Sequence, residues 1–153
     1  GFGMRVLAHD AVRDDAFAAQ FGVRYAALDE VLAQSDFVTL HAPGGASTRN
    51  LINADTLALM KPGAFLINTA RGELVDEAAL YDALRNKRLA GAASDVFVDE
   101  PPAKDHPLLS LDAFIAAPHS ASQTLEGLRA MGQVTRDNVL RILRGEQPLF
   151  RVA

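Results

Sequence analysis

Five short apolar runs in this chain are each followed directly by polar or ionisable residues that could do chemistry together. Asp10 follows residues 5–8, His41 follows 37–40, and the segment 68–71, with Arg71, follows 64–67. Asp95 follows residues 90–94, and His119 follows 114–117 with one proline between. A guanidinium holds a carboxylate through two parallel hydrogen bonds, which fixes both its position and its orientation. A free imidazole titrates near neutrality, so it can give and take a proton at physiological pH. A carboxylate beside it, such as Glu100, would stabilise the imidazolium. Such a histidine could protonate a ketone oxygen as hydride arrives at carbon, a contribution of about 10²–10⁴ in rate.

Taken singly, each residue also has a plainer explanation. Asp10 serves equally well as a turn former or helix cap before Ala11, or as the acid that accepts hydrogen bonds from a ribose at the end of a strand. Its charge would repel a 2′-phosphate and favour NAD over NADP, even with Arg13 close by. A lone Arg71 reads as a surface arginine, Asp99 and Glu100 as solvated loop charges, and a lone His119 as structural. Asp95 could accept from a carboxamide.

Something must bring these residues together, and the pattern between them is that of alternating strands and helices. Residues 5–8, 37–40, 64–67, 90–94 and 114–117 read as strands, and residues 13–21, 28–33, 53–60, 76–84 and 124–143 as helices. Asn53 and Asp29 are candidate caps, Asp76 starts a helix, and Gly22 and Gly145 are helix stops. Leu80 and Leu84 share one helix face. Alternation of this kind predicts an α/β, Rossmann-like fold with a parallel sheet covered by helices on both faces. Ligands of such sheets collect at the carboxyl ends of the strands, where the five polar groups fall. The acidic, proline-containing stretch 99–106 reads as a surface loop.

Composition narrows the partners. At 153 residues, 49% hydrophobic and 22% charged, the chain suits one globular domain. The formal net charge of -4 gives no footprint for nucleic acid or an anionic membrane. No apolar run approaches the roughly 18 residues of a membrane span, and the first residues do not resemble a signal peptide. Cysteine is absent, which excludes disulfides and thiolate metal sites and leaves the cytoplasm as the default compartment. No metal site is expected. A Gly-x-Gly-x-x-Gly phosphate turn should lie about 20 residues before a ribose-binding acid. Only nine residues precede Asp10, and Gly1-Phe2-Gly3 is followed by Val6 where the third glycine belongs. Residues 1–153 are therefore expected to be a partial dinucleotide-binding domain, without the first strand, the phosphate loop and most of a substrate domain.

Three motifs occur in order: Leu66-Ile67-Asn68-Thr69-Ala70-Arg71-Gly72-Glu73-Leu74-Val75-Asp76, then Gly91-Ala92-Ala93-Ser94-Asp95-Val96-Phe97, then Pro118-His119. In this the chain resembles the D-isomer-specific 2-hydroxyacid dehydrogenases, which include phosphoglycerate, lactate, glycerate and glyoxylate/hydroxypyruvate enzymes. The resemblance runs from Met4 to Val152. It implies NAD as cofactor, a small 2-hydroxy or 2-keto acid as substrate, and a homodimer for the full-length protein. It also implies that Arg71 binds the substrate carboxylate and carbonyl, that His119 is the catalytic histidine, and that Glu100 pairs with it. Asp10 would hold the ribose, and His41, Ala42 and Pro43 would pass the adenosine side. Thr69 and Ala70 would contact the nicotinamide ribose, Asp95 the carboxamide, and Ser120 and Ala121 the nicotinamide. The sequence departs from the family at Ser120, where a bulky apolar residue or glycine is usual, and at Gly44-Gly45-Ala46-Ser47, which lacks the common threonine. An NAD-binding corepressor and an inactive fragment are rival readings. Formate dehydrogenases share the scaffold but pair the histidine with glutamine, so Glu100 argues against them; phosphite dehydrogenases keep the same three residues.

Overall fold

The computed structural model describes residues 2–120 and 122–150. Strands and helices alternate: β1 (Val6–Ala8), α1 (Asp15–Phe21), β2 (Val23–Tyr25), α2 (Leu28–Gln34), β3 (Phe37–Leu40), α3 (Ala54–Leu59) and β4 (Phe65–Asn68). After them come α4 (Glu77–Arg85), β5 (Gly91–Ser94), β6 (Phe114–Ala116) and α5 (Leu125–Leu143). Two 3-10 turns, Gly72–Leu74 and Pro107–Ser110, sit in the loops after β4 and β5.

The helix ends follow local chemistry. Asn53 caps α3 by accepting from the Asp55 and Thr56 amides, and Thr56 returns a bond to the Asn53 amide. Asp76 caps α4, accepting from Ala78 and Ala79. Gly22 closes α1 in the left-handed conformation, at φ 68°, which glycine adopts without a steric penalty. At α2 the cap falls on Ala27 rather than Asp29. Asp29 instead lies in the first turn, where the helix field favours a carboxylate. β2 was not anticipated, because three residues directly after a helix stop are too few to show a period.

Every strand pairing is parallel, as the alternation predicts, but the strands divide between two sheets rather than forming one. β1 pairs with β2, and the other four lie in the order β3-β4-β5-β6. Among the described residues no strand joins β1 to β3, so each keeps one edge without a ladder partner. Register in the larger sheet is regular: Leu40 lies opposite Asn68, and Asn68 opposite Ser94. The carboxyl ends of β3, β4 and β5 are therefore level.

The chain divides into two units, one ending at Pro118 and the other starting at His119. In the first, Leu32, Ile52, Met60, Leu66, Leu74 and Leu108 are fully buried and form a single core with Val38, Leu40, Leu80 and Leu84. The core thus collects side chains from the larger sheet and from α2, α3 and α4. Ile52 and Leu74 also tie the segments that follow β3 and β4. Ile52 N donates to Leu74 O at 2.9 Å, and Asp76 N donates to Ile52 O at 2.8 Å. In the second unit α5 begins at the cap Thr124 and ends before Gly145, at φ 75°. Asn138 then exchanges two hydrogen bonds with the Leu149 backbone, folding the following segment back along the helix. No helix among the described residues is long and apolar enough to cross a membrane.

At the other end of the larger sheet, Lys61 Nζ donates to Asp36 Oδ1 at 2.8 Å. That hydrogen bond, and then the charge of Lys61, hold the Asp36 carboxyl below the usual carboxylate range. A lowered folded value means the contribution is complete above the unfolded carboxylate's range and is lost as pH falls through the folded one. Replacing Lys61 with Met should move the Asp36 midpoint upward in an NMR titration; an unchanged midpoint would contradict this cause. Leu74→Ala, at a site with no solvent exposure, should cost about 2–5 kcal/mol in urea unfolding.

Candidate active site

Arg71 sits where β4 runs out, and a buried amide sets its turn. Asn68, 3% exposed, is the last residue of the strand. Its Nδ2 donates to Arg71 O at 2.9 Å, and its Oδ1 accepts from Ala70 N at 3.1 Å. One side chain thereby satisfies two backbone groups of the turn that carries Thr69, Ala70 and Arg71, as buried polar groups require. The guanidinium is exposed and its Nη1 donates to Ala70 O at 2.7 Å. It can exchange that bond for a ligand without breaking into the core. The sequence placed Asn68 among the polar residues at the strand ends but gave it no role of its own, although Asn is a known turn former.

Gly72 then allows the turn to meet the next loop. A Cβ at this position would overlap the carbonyl carbon and oxygen of Phe97 and the Val98 nitrogen. Backbone lies on backbone here, and only glycine leaves room. Phe97 opens the loop that carries Glu100, and the Phe97 amide donates to Glu100 Oε1 at 3.0 Å. The fold therefore places the Arg71 turn against the loop that carries Glu100. Glu100 is exposed.

The loop after β3 closes the other flank. His41 and Pro43 are exposed and Ala42 is half-buried. His41 Nε2 lies 3.0 Å from Thr39 Oγ1, and Thr48 Oγ1 donates to Pro43 O at 2.7 Å. This loop reaches the Arg71 turn: a Cβ on Gly44 would press on the Glu73 carboxylate and come within 3.3 Å of Arg71 Cγ. Arg49 and Glu73 pair at 2.8 Å across the same gap. A side chain at Gly44 would therefore compete with Glu73 and the Arg71 stem, whereas at Gly45, where the family commonly carries threonine, a Cβ would meet nothing within 4 Å.

Asp95 lies directly beyond β5, 8% exposed, and its amide donates to Asn68 O at 3.0 Å. Asp10 lies beyond β1, in the smaller sheet. It is exposed, and its Oδ1 accepts from Val12 N at 2.9 Å, the turn-forming role open to it from sequence. The exposed carboxylate is still able to accept from hydroxyl groups. Arg13 is drawn towards Tyr25, 4.9 Å from the ring centroid, and pairs with Asp15 at 3.5 Å.

His119 and Ser120 open the second unit. His119 is exposed and adopts φ 52°, in the left-handed region that few non-glycine residues occupy. Holding a residue there costs about 1–2 kcal/mol, and such strain gathers at functional positions. Ala121 lies outside the described residues. Among the described residues no group of three or more His, Asp or Glu is placed to hold a metal ion.

Residues 1–121 match the family model described as D-isomer specific 2-hydroxyacid dehydrogenase, NAD binding domain. The chain is 43% identical over 148 residues to a glyoxylate reductase from Korarchaeum cryptofilum, covering 97% of this chain and 45% of that protein. Its fold superposes on the D-lactate dehydrogenase of Lactobacillus jensenii, solved with NAD+, at a TM-score of 0.88 and 34% identity, covering 99% of this chain and 49% of the other. The D-lactate dehydrogenase of Aquifex aeolicus, solved with NAD and lactic acid, gives 0.87 and 36% identity, with 95% and 48% covered. The chain spans less than half the length of these proteins.

Gly72→Ala should destabilise the first unit by about 1–3 kcal/mol through overpacking against Phe97, whereas Gly132→Ala, with open space at the Cβ position, should not. Equal melting shifts for the two would contradict the close approach. Asn68→Ala should leave the Ala70 amide and the Arg71 carbonyl without their partner. Hydrogen exchange at Ala70 should then rise.

Proposed function

This chain belongs to the D-isomer specific 2-hydroxyacid dehydrogenase family, and from that premise we propose that the protein transfers hydride between NAD(H) and a small 2-hydroxy or 2-keto acid. The observation that carries the reading is the exposed Arg71 guanidinium, on a turn clamped by Asn68 and seated against the Glu100 loop.

The residues present suit NAD. Asp10 offers an exposed carboxylate for ribose hydroxyls and repels a 2′-phosphate. His41, Ala42 and Pro43 border the adenosine side, and Thr69 and Ala70 present backbone towards the nicotinamide ribose. Asp95 accepts from the carboxamide, and Ser120 lines the ring. When bound, the nicotinamide supplies or takes up the hydride. Arg71 grips the substrate carboxylate and steers its carbonyl. His119 donates a proton to the ketone oxygen in reduction and removes it from the hydroxyl in oxidation, and Glu100 stabilises the imidazolium form. The domain is a partial one, which fits the share of its relatives that it spans. The free edges of β1 and β3 could each accept a further parallel strand. The protein acts in the cytoplasm, as a homodimer.

Assay of the full-length gene product with NADH against a panel of 2-keto acids tests the proposal. At least one should be reduced, and His119→Ala should lower kcat by about 10²–10⁴, while Arg71→Ala should chiefly raise KM for the keto acid. Undiminished reduction by His119→Ala would end the catalytic reading; NAD binding with no turnover would favour a regulator. Residues 1–153 alone should bind NAD weakly and turn over little, and normal turnover would refute the partial-domain proposal.

A further inference from the structure

The loop carrying Glu100 is fastened at both stems by one carboxylate outside the site described above. Glu77 is the first residue of α4, where the helix field favours a negative charge. Its Oε1 accepts from Val98 N at 2.9 Å, and its Oε2 lies 3.2 Å from His106 Nε2. Val98 and His106 bracket Glu100. The His106 ring also meets Phe97 edge-on, with centroids 5.4 Å apart and planes at 79°. Phe97 in turn holds Glu100 through its amide. A continuous chain of contacts thus runs from Glu77 to the Glu100 carboxylate.

Two details set this pair apart from a surface ion pair. The Glu77 and His106 side chains are only 22% and 18% exposed. His106 Nδ1 is buried and finds no hydrogen-bond partner among the described residues. A hydrogen on that nitrogen would be an unsatisfied donor, so the ring hydrogen belongs on Nε2, facing Glu77. Nor does α4 rest on Glu77 alone, beyond the favourable charge in its first turn. Asp76 already caps the helix, and Leu80 and Leu84 already bury its inner face.

We infer that Glu77 and His106 are positioning residues for Glu100, holding the two stems of its loop at a fixed separation. The inference rests on the role proposed for Glu100, and the test keeps the two apart. In the full-length protein, Glu77→Ala and His106→Leu are made singly and in a Glu100→Gln background, with kcat, KM for NADH and thermal melts measured. Each single variant should lower kcat about ten-fold, the scale of loss that a small misplacement produces, and leave KM for NADH within about two-fold. In the Glu100→Gln background neither should lower kcat further, because residues acting through one group are not additive. Single variants with undiminished kcat, or an equal loss in both backgrounds, would overturn the inference. A Glu100→Gln enzyme with full kcat would overturn the role of Glu100, and this inference with it. If Glu77→Ala does not fold, His106→Leu, which spares the Glu77–Val98 bond, decides by the same criteria.

Discussion

The close approach of Gly72 to the Phe97 and Val98 backbone is the constraint on which the site depends. It brings the loops beyond two adjacent parallel strands into direct contact, one with a guanidinium and the other with a carboxylate. Parallel strands in register place their ends level, but level ends do not by themselves put two loops in contact. A missing Cβ does, with the Asn68 amide fixing the turn on one side and the Phe97 amide fixing Glu100 on the other.

The same arrangement separates rigidity from availability. The groups that hold the turns are buried and satisfied: Asn68 at 3% exposed, and Ile52 and Leu74 with none. The groups that would meet a ligand, Arg71, Glu100, His41 and Asp10, are exposed and bonded mainly to nearby backbone or side-chain atoms. A ligand can replace such local bonds without disturbing the core.

Much of this was legible in the residues. Strand runs such as 37–40 and caps such as Asn53 and Asp76 carry their own local chemistry, so their positions emerged within a residue or two. Gly22 and Gly145 stop helices for the steric reason that marks them in the sequence. The division into two sheets was not legible, because which strands pair depends on tertiary context that no three-residue run encodes. The Asn68 clamp and the Glu77–His106 latch were also hidden. Each joins residues through hydrogen bonds whose meaning depends on where loops return, and His106 lies 29 positions from its partner. Arg71 and His119 stood out because each lies just beyond a recognisable strand, whereas Glu100 was singled out only through the family resemblance.

The most direct test is a crystal structure of the full-length protein with NAD+ and oxamate, an unreactive analogue of a 2-keto acid. The account predicts that the oxamate carboxylate lies on the Arg71 guanidinium through paired hydrogen bonds, with the His119 imidazole at the amide-side oxygen and Glu100 behind the ring. Oxamate bound away from Arg71, or an imidazole at residue 119 turned from the nicotinamide, would contradict it.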